Sequence, residues 1–171
     1  MQIDVPVPRS RCIFEMIYFA HPQTVIGKEA AAAYRYRFGQ TLAEYDLERF
    51  PRKNTVVVDI PESSQDSATW YAHRLGIQRV RAITKNPEQV DADRTFIASW
   101  SSREEKVKNK YIFNPLLKEY FKGKTVVLMD DSLVRWTTLQ YLIKAFCEFY
   151  EPAEVHVRIP SPPIVAPCFY G

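Results

Sequence analysis

The feature that most constrains this chain is the segment from Thr125 to Thr138, where an apolar run is followed at once by two acids. Residues Thr125 to Met129, TVVLM, are apolar or β-branched throughout, which predicts a buried parallel strand. Asp130 and Asp131 follow directly, at the carboxyl end of that strand. Burying two adjacent carboxylates is costly unless something binds them. The segment therefore predicts a ligand site at the end of a strand.

A helix follows the acids, and its first turn has the composition of a phosphate cradle. Residues Thr138 to Tyr150 carry apolar side chains at helical spacing. Backbone N–H groups at a helix start bind anions, and hydroxyls beside them add further donors. The side chains that precede or open this helix are Ser132, Arg135, Thr137 and Thr138. One turn thus offers acceptors for sugar hydroxyls and donors for a phosphate.

The rest of the chain alternates between strand and helix patterns. The run Thr55 to Ile60 predicts a second buried strand, and Ser64 to Leu75 predicts a helix that stops at Gly76. Further strands are predicted at Arg79 to Ile83 and Val155 to Ile159. This alternation is typical of an α/β fold with a parallel sheet, in which ligands bind beyond the carboxyl ends of the strands.

Two other stretches complete the organisation. Alanine-rich residues Gly27 to Tyr45 predict one long helix, in which Gly39 is expected to have a packing role. Polar residues Lys85 to Arg94 and the proline-rich tail Pro160 to Gly171 read as loops. We expect residues 1–171 to form one domain.

Composition narrows the function classes. Hydrophobic residues make up 46% and charged residues 25%, as in ordinary soluble proteins. The net charge of +3 is too small to predict nucleic acid as the main partner, although it suits an anionic small ligand. No apolar run is long enough to cross a bilayer, so no membrane partner is expected.

Cysteine usage indicates the compartment. Cys12, Cys147 and Cys168 include no CxxC pair, which argues against a zinc knuckle or a thioredoxin-type site. An odd count without a signal peptide favours a reducing compartment, and we expect a cytoplasmic protein.

Several segments together resemble one family. Residues 126–138, VVLMDDSLVRWTT, are similar to the phosphoribosyl pyrophosphate (PRPP) signature of the type I phosphoribosyltransferases, and especially to VVLVDDSIVRGTT of the glutamine PRPP amidotransferases. The resemblance implies the type I phosphoribosyltransferase fold, an α/β fold whose twisted, mostly parallel sheet is flanked by helices. Other matching segments are CIFEMIYFAHP (12–22), Arg35 with Gly39, IPESS (60–64), Lys85-Asn86, RTFI (94–97) and VHVRIPSPPIVAPCFYG (155–171).

The resemblance also implies a role for each matching residue. Asp130 and Asp131 would hold the ribose hydroxyls and, with Ser63, place Mg2+. The catalytic cations facing the departing pyrophosphate would be Lys85, Arg94 and Arg103. The remaining ligand contacts would come from Ser63 and Ser64 in the pyrophosphate loop and from Ser132, Val134, Arg135, Trp136, Thr137 and Thr138 in the 5-phosphate loop.

Three departures from the family pattern bear on function. Trp136 replaces the family glycine at which backbone approaches phosphate; it could fill the phosphate pocket, point outward to stack on a base or partner, or only pack. His21 replaces an arginine. The family's glutaminase domain begins with a catalytic cysteine, whereas this chain begins Met1-Gln2, so we expect no glutaminase domain here.

Cys12 and Cys168 match two of the four positions that bind an iron–sulfur cluster in some family members. Two ligands in one chain do not favour a cluster within it.

The leading hypothesis is a stand-alone phosphoribosyltransferase that uses PRPP and Mg2+. Its nitrogen acceptor would be ammonia, ammonia from a separate glutaminase subunit, or a heterocyclic base. The alternative is a non-catalytic PRPP or nucleotide sensor or assembly subunit, which Trp136 motivates. The resemblance further implies a homo-oligomer.

Overall fold

Strand and helix patterns alternate in the sequence, and the same alternation organises the structure. The computed structural model describes residues 12–88, 109–133 and 136–166. In chain order the elements are a π-helical turn (Glu15–Phe19), β1 (Val25–Ile26), β2 (Glu29–Ala30), α1 (Ala31–Glu44), β3 (Thr55–Asp59), α2 (Gln65–Leu75), β4 (Gln78–Arg79), β5 (Ile83–Lys85), β6 (Tyr111–Phe113), a 3-10 turn (Pro115–Leu117), α3 (Lys118–Phe121), β7 (Thr125–Met129), α4 (Trp136–Tyr150) and β8 (Glu154–Arg158).

The main sheet has four parallel strands in the order β4-β3-β7-β8. Every residue of β3 and β7 is buried, as continuous apolar runs predict for central parallel strands. Thr55 pairs with Thr125 and Asp59 with Met129, so both strands end at the same edge of the sheet. The sequence prediction of a parallel α/β sheet is confirmed.

Helices cover both faces of this sheet because side chains alternate along each strand. Val57, Val127 and Met129 pack against α1 and α2 on one face. Val56, Val58, Val126 and Leu128 pack against the apolar side of α4 on the other. None of the helices in the described ranges combines the length and apolarity that crossing a bilayer requires.

Gly39 has the packing role expected of a glycine inside a helix. A Cβ added to Gly39 would lie 2.1 Å from the backbone oxygen of Ser67. Helices α1 and α2 therefore touch backbone to backbone at this point, which a larger residue would prevent.

Three sequence-based boundaries were wrong. The helix predicted over Gly27 to Tyr45 begins only at Ala31, because Gly27, at φ 73°, turns the chain into the β1–β2 hairpin. The strand predicted over Arg79 to Ile83 is two strands: β4 joins the main sheet, while β5 pairs antiparallel with β6. Helix α4 begins at Trp136, two positions before the expected Thr138.

Candidate functional site

The two acids at the end of β7 lie against the loop that follows β3. The hydroxyl of Ser63 donates to Oδ2 of Asp131, and the hydroxyl of Ser132 donates to Oδ1 at 2.6 Å. The backbone N–H of Asp131 donates to Oδ1 of Asp130 at 3.0 Å. Because β3 and β7 are adjacent and parallel, their ends bring the loop with Ser63 to the segment that carries both aspartates.

The environment of this pair disfavours negative charge. Burial, reinforced by the charge of Asp131, raises the pKa of Asp130 to about 7. Burial also raises the pKa of Asp131, although hydrogen bonds from Ser132 and Ser63 and the charge of Arg35 oppose the rise. The side chain of Lys110 adds positive charge near both carboxylates. A ligand that brings positive charge would therefore stabilise the ionised form of these two carboxylates.

The donor set fits Mg2+. Asp130, Asp131 and Ser63 present hard oxygen atoms, the ligands that Mg2+ prefers. In the part of the chain that the structure describes, no three His, Cys, Asp or Glu side chains converge on one point. Mg2+ commonly uses one or two carboxylates together with water and substrate phosphates. These residues therefore suit a site in which water or a bound ligand completes the coordination of the ion.

Helix α4 starts a few residues beyond the acids and presents its amino end at the same edge. Thr137, in the first turn of α4, carries a buried hydroxyl oxygen without a hydrogen-bond partner among the described residues. Thr138 is half-buried, whereas Trp136 is 47% exposed. Val134 and Arg135, the other predicted members of this loop, lie outside the described residues.

The loop after β3 contains Ser64, a further predicted ligand contact, and Lys85 lies beside it. Ser64 is fully buried and donates its hydroxyl to the carbonyl of Ile60, so its side chain holds the loop itself. Lys85, at the end of β5, places its Nζ 4.0 Å from Oε2 of Glu62 in the same loop. The predicted cations Arg94 and Arg103 lie outside the described residues.

Behind the acids, Arg35 is a buried charge that the sequence pattern alone did not identify as part of the site. It is 3% exposed and donates to the carbonyls of Met16 at 3.0 Å and Ala20 at 2.7 Å. Its Nη1 lies 3.8 Å from Asp66 at the start of α2. A usable signal was its spacing of four residues from Gly39, which puts both on the buried face of α1.

Asp59 is a second residue that sequence reasoning missed. It ends β3, is 1% exposed, and accepts a 2.8 Å hydrogen bond from Nε of Arg79 in β4. Its other oxygen, Oδ2, is buried without a partner. The signal was an acid at the end of the apolar run TVVVD, one position earlier in its strand than Asp130, which follows TVVLM.

The cysteines give no support for a cluster within the described residues. Cys12 is exposed and free, and Cys147 is half-buried on α4 with its pKa raised by burial. Cys168 lies outside the described residues.

Sequence comparisons show that this chain is similar to part of several known enzymes. It is 39% identical to an amidophosphoribosyltransferase of Synechococcus elongatus over 98% of its length, and 41% identical to one of Pyrococcus horikoshii over 94%. The human amidophosphoribosyltransferase is 39% identical over 96%. The chain spans about a third of the length of these relatives, with 32%, 33% and 30% covered. No protein-family model matches it.

Solved structures agree with the sequence comparisons. An allosteric regulatory enzyme of purine biosynthesis matches with a TM-score of 0.73 and 37% identity, over 94% of this chain and 32% of that one. The glutamine PRPP amidotransferase of B. subtilis, in complex with ADP and GMP, matches with a TM-score of 0.72 and 37% identity, over 94% and 33%. Over nearly its whole length the chain is therefore similar to about a third of each of these amidophosphoribosyltransferases, and it shares the α/β phosphoribosyltransferase fold of that part.

Proposed function

We propose that the chain binds PRPP together with Mg2+ and transfers the 5-phosphoribosyl group to a nitrogen nucleophile. The bond from the anomeric carbon to pyrophosphate oxygen breaks, the bond to nitrogen forms, and pyrophosphate leaves with the electron pair. The observation that carries this proposal is the meeting of Ser63, Asp130 and Asp131 where two central parallel strands end, beside the start of α4.

Each part of this edge suits one part of the ligand. Asp130 and Asp131 are acceptors for the two ribose hydroxyls. The start of α4, with the unpartnered hydroxyl of Thr137, suits the 5-phosphate. Lys85, beside the loop that holds Ser63, suits the pyrophosphate. When bound, Mg2+ would offset charge on the pyrophosphate as it leaves.

The similarity to amidophosphoribosyltransferases supports PRPP as the donor of the phosphoribosyl group more directly than it supports any particular nitrogen acceptor. We propose three acceptors to be tested: ammonia, ammonia delivered by a separate glutaminase subunit, and a heterocyclic base. A homo-oligomer in the cytoplasm is part of the same proposal, and light scattering on the purified chain tests the assembly.

The test is release of pyrophosphate from PRPP and Mg2+ in the presence of each acceptor. Release should require at least one acceptor and should be lost in the double variant Asp130→Asn/Asp131→Asn. Glu148→Gln, which neutralises an exposed carboxylate on α4, is the matched control and should keep full activity. If wild-type protein releases no pyrophosphate with any acceptor, transfer is the wrong function.

A second candidate is a non-catalytic sensor of PRPP or nucleotides. The observation that favours it is Trp136, a half-exposed tryptophan at the first position of α4 beside the proposed phosphate site. Calorimetry with PRPP, ribose 5-phosphate and purine nucleotides separates the candidates. Saturable binding without pyrophosphate release supports the sensor, whereas turnover excludes it.

A further inference from the structure

A buried ion pair anchors the edge strand next to the acids. Arg158, the last residue of β8, donates from Nε and Nη2 to the two oxygens of Asp46 at 2.6 and 2.9 Å. Asp46 follows α1 and is 3% exposed. The hydroxyl of Tyr71 in α2 donates to the same carboxylate at 2.6 Å. The guanidinium also lies over the ring of Phe50, 5.2 Å from its centroid.

The backbone of Arg158 reaches the candidate site from the other side. Strand β8 pairs with β7 and stands at the end of the sheet order, so within the described residues one strand neighbour holds it. The carbonyl of Arg158 accepts a hydrogen bond from the backbone N–H of Asp130 at 3.2 Å. This contact is the last rung between β8 and the segment that carries the two acids. The geometry of this hydrogen bond depends on the position of the last residue of β8.

We propose that Arg158 is a positioning residue for Asp130: the Asp46 carboxylate fixes its guanidinium, and its carbonyl then fixes the backbone of Asp130. The inference rests on the proposed role of Asp130 in holding PRPP and Mg2+. Arg158 does not touch the ligand. Bidentate geometry suits this role because two parallel hydrogen bonds fix orientation as well as distance. The groups that orient ligand-binding residues commonly change affinity when they are removed.

A purely stabilising role for the ion pair predicts something different. Replacing a buried ion pair with apolar residues of similar size is often neutral or stabilising, because the cost of burying two charges disappears. The double variant Asp46→Leu/Arg158→Met should therefore stay folded while it loses the bidentate anchor, although the buried Tyr71 hydroxyl then also loses its acceptor. Tyr71→Phe removes one hydrogen bond from the same carboxylate and leaves both Arg158 contacts in place. Stability and positioning can be separated with these two variants.

The experiment measures PRPP affinity with Mg2+, the thermal unfolding midpoint, and hydrogen exchange of the Asp130 amide relative to the Val127 amide inside β7. In the double variant we expect the PRPP Kd to rise on the order of tenfold. We also expect faster exchange at Asp130, with a midpoint that falls about as far as in Tyr71→Phe, because both variants lose the hydrogen bond between Tyr71 and Asp46. Tyr71→Phe should lower the midpoint and leave both Kd and Asp130 exchange unchanged. If the double variant does not fold, Arg158→Lys, which keeps the charge but loses the planar fork, should shift Kd and exchange in the same direction.

The proposal is overturned if Asp130 exchanges at the wild-type rate in a folded variant without the anchor. It is equally overturned if Tyr71→Phe weakens PRPP binding as much as loss of Arg158 does. Failure of the proposed function would look different: wild-type protein would bind no PRPP, while the Asp130 exchange rates would still decide the positioning role.

Discussion

Asp130→Asn is expected to make the protein more stable at alkaline pH, because it removes a carboxylate that the fold disfavours. Burial and the neighbouring charge of Asp131 raise the pKa of Asp130 from an ordinary 3.8 to about 7. Between these values the folded state holds a proton that the unfolded state has released. Stability therefore falls as pH rises through this window. Asparagine keeps the Oδ1 acceptor for the N–H of Asp131 and has no proton to lose.

The magnitude follows from the width of the window. One pKa unit corresponds to about 1.4 kcal/mol. Between pH 5 and pH 8 wild-type protein should lose about 2–3 kcal/mol of unfolding free energy that the variant keeps. In a chain of this size about 1 kcal/mol moves the unfolding midpoint by roughly 2–4 °C. The gap between the two midpoints should accordingly widen by roughly 5–10 °C from pH 5 to pH 8.

The assay is thermal unfolding followed by circular dichroism in EDTA, which removes divalent cations that would compensate the carboxylates. Glu148→Gln, on the exposed side of α4, should follow the wild-type pH dependence. A midpoint gap between Asp130→Asn and wild type that stays constant from pH 5 to pH 8 would refute the reasoning. Such a result would mean that the carboxyl of Asp130 titrates at its ordinary pKa in the folded protein.

Three further substitutions test other features of the same molecule. Gly39→Ala should lower the unfolding free energy by about 1–3 kcal/mol, because its Cβ would overlap the Ser67 carbonyl; Thr41→Ala, exposed on the same helix, is the control in urea unfolding. Thr137→Val should raise stability by about 1 kcal/mol because a buried unpartnered hydroxyl is lost. The same variant should weaken PRPP binding in calorimetry, and unchanged affinity would exclude the hydroxyl as a phosphate contact. Trp136→Gly should increase PRPP affinity if the indole obstructs the phosphate pocket; equal affinity would show that it points away.

The sequence predicted the central strands of the sheet better than the start of α1 and the short outer strands. Strand β7 has the predicted bounds, since five consecutive apolar residues fit a strand buried on both faces. The start of α1 was wrong because alanines 30 to 33 favour helix while Gly27, two residues before β2, permits a hairpin turn. The run from Arg79 to Ile83 was misread because the partner of β5 is β6, far along the chain. Local patterns do not contain such long-range pairing.

In the candidate site, too, some residues follow from local sequence signals and others depend on the three-dimensional fold. Asp130 and Asp131 were identifiable because charge directly after an apolar strand is a local signal. Their contact with Ser63 depends on β3 and β7 being neighbours, a choice of strand order that no local pattern specifies. The burial of Arg35 and the pairing of Arg158 with Asp46 depend on helix packing across the sheet. The contacts of these supporting residues therefore emerge only from the three-dimensional arrangement.

Several buried groups near the edge where the parallel strands end would gain a partner from a bound ligand. Among the described residues, Asp59 at the end of β3 and Thr137 in the first turn of α4 hold the buried side-chain oxygens that lack partners, and the pKa of Asp130, directly after β7, is raised. A ligand that binds only the folded state adds about 2.7 kcal/mol of stability at one hundred times its Kd. If PRPP with Mg2+ binds at this edge, it should raise the unfolding midpoint and also flatten the loss of stability from pH 5 to pH 8. The flattening follows because added positive charge favours the ionised carboxylate. A rise in midpoint with an unchanged pH slope would place PRPP elsewhere on the protein.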